Sequence, residues 1–199
     1  MKVKGVIYGC ISVALAFGYS EGSAEGLTGE VQFVSAASRN IEEVRSLSQI
    51  SVYLEADIAD ELSGFLIGYY DREFRSTLIG LAKKYGNLQI ALGFGQATYD
   101  QSNHLVLNPW LYYSDDDYRG YVHAEYYSKE RVDPWFFKGY FLKKLGELSV
   151  GAYGESDFGI GPRLDIKMAE HWNIFAAIPI ACRPKEGSTK AIIGVTVDF

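Results

Sequence analysis

GIGPRLDIKMAEHWNIFAAIPI, residues 159–180, is the stretch that decides the fold. In its first half Ile160, Pro162, Leu164, Ile166 and Met168 alternate with Gly161, Arg163, Asp165 and Lys167. A period of two puts each set on one face of a β-strand. Residues 169–171 then make a tight turn, and a second strand over 171–182 carries Trp172 at its start. The unit is a hairpin with one apolar face and one small or polar face.

Working outward, the same alternation recurs. Ile50, Val52, Leu54, Ala56 and Ile58 share one face, opposite Ser51, Tyr53, Glu55 and Asp57. Leu88, Ile90, Leu92 and Phe94 alternate with Gln89, Ala91, Gly93 and Gly95, and Ala191, Ile193, Val195, Val197 and Phe199 close the chain in the same way. Weaker strands fall near 29–38, 62–72, 74–84, 103–113, 117–128, 133–144 and 148–154. The sum is about twelve strands, or ten if the segment before residue 48 drops out. Each is roughly ten residues, the length of a tilted membrane strand. Counted back from Phe199, the connections alternate. Residues 183–189, 155–159, 129–134, 98–102 and 39–48 form solvated loops on one side, rich in Pro, Lys, Asp, Glu and Ser. Residues 169–171, 145–147, 114–117, 85–87 and 59–61 form tight turns on the other. The connection at 72–73 is short where a long loop is expected. Short turns on one side and longer loops on the other are the pattern of an up-and-down membrane barrel.

Composition agrees. The chain of 199 residues has 15 Tyr and 21 Gly against 2 Met, which favours strands and turns. A net charge of −6 argues against a nucleic-acid partner. Lys2 and Lys4 precede an apolar stretch over 6–19 and then small residues, so residues 1–24 read as a secretory signal and residues 25–199 as one barrel domain. Its removal would take Cys10 and leave Cys182 alone, without an intrachain disulfide. Paired aromatics at 69–70, 112–113 and 126–127, with Trp135, Phe137 and Trp172, fall near strand ends, where interfacial girdles belong. Three prolines, Pro109, Pro162 and Pro179, lie inside strands and need bulges or strand ends, because a closed barrel has no edge. The 62–84 region is apolar on both faces, which specifies register weakly.

The hairpin at 159–180 resembles those of bacterial outer-membrane β-barrel proteins, and AIIGVTVDF, residues 191–199, resembles the terminal strand such proteins present for assembly. The resemblance covers the chain from about residue 28 onward. It implies an all-β, antiparallel barrel in the outer membrane of a Gram-negative cell, surrounded by its lipids and inserted by the barrel-assembly machinery through the strand ending in Phe199. Twelve-stranded members include oligogalacturonate-specific and nucleoside-specific porins and membrane phospholipases. No motif here chooses among them.

The candidate lumen lining consists of inward charges: Glu55, Asp57, Arg119, His123, Glu125, Lys138, Arg163, Asp165 and Lys167, with Glu155 and Asp198 beside them. In a water-filled pore these would set charge selectivity. In a closed barrel they would pair with one another. His123 shares a face with Glu125, an arrangement that could assist a nucleophile in a lipid hydrolase, with Ser128 or Ser149 as nucleophile. The acidic run Asp115, Asp116 and Asp117 lacks the Gly and distal Glu of a calcium loop and reads as a solvated turn. The glycines at 93–95 and 159–161 sit in strand context, away from any phosphate loop. No metal or cofactor is expected. The leading expectation is a non-enzymatic, narrow channel for small polar solutes. The alternatives are a closed barrel whose 39–48 loop meets a partner, a lipid-modifying enzyme, and an exported soluble barrel that binds an apolar ligand.

Overall fold

The computed structural model describes residues 27–39, 44–71, 74–99, 102–128, 134–156, 159–180 and 190–199. The candidate signal lies outside them. Twelve strands run in chain order: β1 (Leu27–Arg39), β2 (Val44–Ala59), β3 (Leu62–Tyr70), β4 (Phe74–Tyr85), β5 (Leu88–Tyr99), β6 (Ser102–Ser114), β7 (Tyr118–Tyr127), β8 (Trp135–Leu145), β9 (Leu148–Glu155), β10 (Gly159–Ala169), β11 (Trp172–Ala177) and β12 (Lys190–Asp198). Each pairs with the next, and β1 pairs antiparallel with β12, so the sheet closes into an up-and-down barrel. The closure runs from Glu30↔Asp198 to Ser38↔Lys190. Beyond it the Phe199 and Gly29 backbones exchange two hydrogen bonds of 2.9 Å each.

The tight turns fall where alternation stops. Asp60–Glu61, Gly86–Asn87, Gly146–Glu147 and Glu170–His171 connect strands at one end of the barrel. Gly86 and Gly146 take φ of +59° and +68°, the left-handed backbone of two-residue hairpins, which glycine adopts without penalty. Two expected boundaries shift. The 39–48 loop is largely strand: β2 begins at Val44 and pairs through Arg39↔Val44, leaving only residues 40–43 between the two strands. The charges at Glu42, Glu43 and Arg45 read as a solvated loop, but β-ladders extend through charged residues near a barrel rim; Glu42 and Glu43 lie outside the described residues. The expected strand over 171–182 stops at Ala177 in its pairing with β12.

Prolines explain that stop and one other gap. Beyond Ala177, the amides of Ile178 and Ile180 still bond to Pro162 and Ile160 of β10, so position 179 points its amide at β12. Pro179 has none to give, and the β11–β12 ladder ends there. Inside β6, the ladder to β7 skips Asn108 and Pro109. The Asn108 side chain fills in: its Nδ2 donates to the Ala124 carbonyl at 3.1 Å. A side-chain amide thus replaces a backbone donor that proline lacks.

The outward face is the apolar one. Phe94, Leu105, Ile160 and Ile193 are 58–69% exposed, and outward Leu, Ile, Val or Phe recur around the wall. That inverts a water-soluble barrel, which buries its apolar face. Tyr70, Tyr99, Tyr126, Trp135 and Trp172 lie exposed near strand ends. Within the expected aromatic pairs, alternation turns one member inward: Tyr69 and Tyr112 line the lumen and Tyr127 is buried in it, and only the partners remain girdle candidates.

The interior divides into two halves. On β3–β7 the inward residues Phe65, Ile67, Leu78, Ala82, Ala91, Ala97, Val106, Trp110 and Tyr127 pack into one buried cluster. This accounts for the two-faced apolarity of 62–84: one face looks out and the other fills the lumen. Phe65 stands edge-on to Trp110 at 5.5 Å between ring centroids, and Tyr53 stacks on Phe65 at 6.0 Å. On β1 and β8–β12 the wall carries charges and a smaller apolar patch of Tyr153, Phe175, Ala177 and Ile192.

Candidate functional site in the barrel lumen

Between the two halves lies a cavity of about 370 Å³. Alternation brings six of the candidate residues to it: Glu55 from β2, Arg119 and His123 from β7, Lys138 from β8, and Arg163 and Asp165 from β10. Three candidates lie elsewhere. Glu125 is buried beside the cavity, where its carboxylate accepts the Tyr127 hydroxyl. Asp57 and Lys167 share the inward face but sit exposed near the turn end of their strands, at the mouth.

The charges are organised into clusters. Asp165 accepts from Arg163 Nε at 2.7 Å and Nη2 at 2.9 Å, and from Arg119 Nη2 at 2.6 Å. One carboxylate thus holds two guanidinium groups, in the fork geometry that suits arginine. The Arg163 guanidinium also lies 4.3 Å from the Tyr140 ring centroid and 4.1 Å from that of Phe175. Cation–π contacts of this kind favour a desolvated arginine. Across the lumen, Glu55 accepts from the Tyr53 hydroxyl at 2.7 Å, from Gln89 Nε2 at 2.6 Å and from the Ser63 hydroxyl. It is therefore satisfied without a cation.

Other groups face the cavity unmatched. Lys138 makes no ion pair with the described residues. Trp110 Nε1, Arg119 Nε and His123 Nε2 are buried and find no hydrogen-bond partner among the described residues. His123 Nδ1 lies 2.8 Å from the Tyr121 hydroxyl, and its Nε2 is 3.9 Å from Glu125. The partner of His123 is thus a tyrosine rather than a serine hydroxyl. Among the described residues, no three His, Cys, Asp or Glu side chains converge as a metal site would require.

Sequence reasoning missed much of the lining. Glu30 and Gln32 on β1, Tyr53, Gln89, Trp110, Tyr140 and Asn173 all reach the cavity. Glu30 and Gln32 alternate with Val31 and Phe33, a signal present in the weakest of the strand segments. Trp110 carries no charge and gives no such signal; its position follows only from the register of β6.

No protein-family model matches the chain, and no curated protein matches it in sequence. Solved structures do match in fold. A KdgM porin superposes with a TM-score of 0.57 at 12% identity, over 85% of this chain and 99% of that one. A NanC porin gives 0.54 at 8% identity, over 84% and 98%. The outer membrane phospholipase A from Escherichia coli gives 0.54 at 10% identity, over 94% and 97%. At these identities the likeness is one of architecture, and the chain has the fold of the bacterial outer-membrane β-barrel proteins, as a closed barrel of twelve strands.

Proposed function

We propose that this protein sits in the outer membrane of a Gram-negative bacterium and provides a narrow passage for small polar solutes. The observation that carries this reading is the 370 Å³ lumenal cavity, in which acidic and basic side chains face each other beside buried donors without partners among the described residues. Its apolar outer wall supports the location, because such a surface is stable only against hydrocarbon. Two of the neighbours are named porins, which supports transport over a purely structural role. A solute entering the cavity would exchange hydration for Lys138, Arg119 Nε, Trp110 Nε1 and the Tyr121 and Tyr140 hydroxyls. Residues 1–24 would act as the export signal, and the strand ending in Phe199 would engage the assembly machinery.

Single-channel recording of the refolded protein in a planar bilayer tests the reading. Discrete conductance steps are expected. Lys138→Glu, which reverses a lumenal charge without unpairing an acid, should move the reversal potential toward cation selectivity. A barrel that inserts and never conducts would overturn the channel assignment and favour a closed, structural barrel.

A further inference from the structure

The outer wall is not uniformly studded. Where β8 meets β9, Gly139 and Gly154 are direct cross-strand partners, and both occupy outward positions. Phe137 and Phe141 on β8, Val122 on β7 and Ile160 on β10 stand up around them, each 46–62% exposed. The result is a groove of about 680 Å³ that opens on the apolar face, with Tyr121, Lys138 and Tyr140 lining both it and the lumenal cavity.

The two glycines are not equivalent. A Cβ on Gly139 would lie 2.6 Å from the Tyr121 carbonyl oxygen and 3.2 Å from the Val122 Cα, so backbone contact forbids a side chain there. A Cβ on Gly154 would meet only the Ile160 side chain at 3.4 Å and the Gly159 oxygen at 3.9 Å. The wall therefore tolerates a side chain at 154, where most outward positions nearby carry a large apolar one. The fold does not require the groove to be open at that point.

We propose that this groove is a binding site for one acyl chain of a phospholipid, held in place of the missing side chains. The proposal rests on the membrane location given above. The groove is continuous with the apolar band, so its occupant comes from the same hydrocarbon. Its walls are aromatic and aliphatic. Its outer end is lined by Ser156, whose hydroxyl is hydrogen-bonded to the Phe137 backbone, by Gly159, and by one cation and one anion, Lys138 and Glu155, so its lining carries no excess positive charge to favour a phosphorylated sugar headgroup. A second barrel would present a convex wall, which spans a concave groove without filling it; a flexible chain fills it.

The test uses vesicles of phosphatidylcholine in which a fraction of the lipid carries a photoreactive diazirine on its acyl chain. After refolding, illumination and digestion, adducts are mapped by mass spectrometry. Adducts should concentrate on Phe137, Phe141 and Ile160, well above those on Phe94 and Leu105, which are at least as exposed elsewhere on the outer wall. Gly154→Leu should remove that excess while leaving Phe94 and Leu105 unchanged, and Ala176→Leu, elsewhere on the outer face, should not. Even labelling around the wall would overturn the site and leave the membrane reading standing. Protein–protein adducts at the groove would assign it to a second copy and overturn the lipid. Displacement of the excess by lipopolysaccharide would overturn the phospholipid assignment. Absence of insertion and of any adduct would overturn the membrane reading, and this proposal with it.

Discussion

The two halves of the lumen are built from strands of the same kind by opposite rules. Along β3–β7 the inward positions hold Phe65, Ile67, Leu78, Trp110 and Tyr127, packed as in the core of a soluble domain. Along β8–β12 and β1 they hold Lys138, Arg163, Asp165, Asp198 and Glu30, with space left beside them. The difference teaches how a small barrel can remain rigid without being sealed. One half contributes burial, which is non-directional and cohesive. The other contributes charges, of which Arg163 and Asp165 are locked with Arg119 of β7 into one ion-pair cluster.

The largest effect should come from breaking the charged half at its hub. Asp165→Ala leaves Arg163 buried and Arg119 half-buried without their shared carboxylate. Loss of one partner from a buried ion pair costs about 3–5 kcal/mol. Denaturant unfolding in detergent micelles should show it, and a drop within error would mean that lumenal water already solvates these groups. Leu78→Ala tests the other half. Leu78 is fully buried, and large-to-small changes of this kind cost about 2–4 kcal/mol. The same variant should raise single-channel conductance by removing volume from the filled side; unchanged conductance would show that ions avoid this half.

Asn108 sharpens the comparison, because it is a buried polar device within the apolar half. Asn108→Leu should cost about 1–3 kcal/mol by orphaning the Ala124 carbonyl that Pro109 cannot serve. Restoring the backbone donor with Pro109→Ala in the Asn108→Leu background should recover part of the loss. The smallest effect belongs to the turn between β6 and β7. Asp115 accepts from the Tyr113 hydroxyl and from the Tyr118 and Asp117 amides, and these hydrogen bonds, that of Tyr113 first, hold its carboxyl below the usual range. A carboxyl with a depressed folded-state pKa adds stability above its ordinary value and loses it as the pH falls through the lowered one. The unfolding midpoint should decline slightly below about pH 4, and Asp115→Asn should flatten that decline.

Much of this architecture was legible in the sequence because a barrel strand has one rule, period two, and the rule needs no knowledge of its neighbours. The twelve strands, the tight turns and the inward set containing Glu55, Arg119, Arg163 and Asp165 follow from it. What meets across the lumen does not. Tyr53 on Phe65, Arg163 between Tyr140 and Phe175, and the remoteness of Asp57 and Lys167 from the cavity depend on register and stagger summed over several strands. The prolines flagged trouble correctly, but the remedy at Pro109 came from a neutral asparagine, which carries no signal in a list of charges.

The pairing of β1 with β12 bears on how the chain reaches this form. Every other ladder joins strands that follow one another, so each can zip as a local hairpin. This one brings Gln32 to Thr196, 164 residues apart. Closing so large a loop costs entropy that no single hairpin repays. The seam should therefore form late, and until it does the edges of β1 and β12 are open to pairing with any other strand. A chain cut short before β12 would leave the edges of β1 and β11 open, and aggregation would compete with insertion.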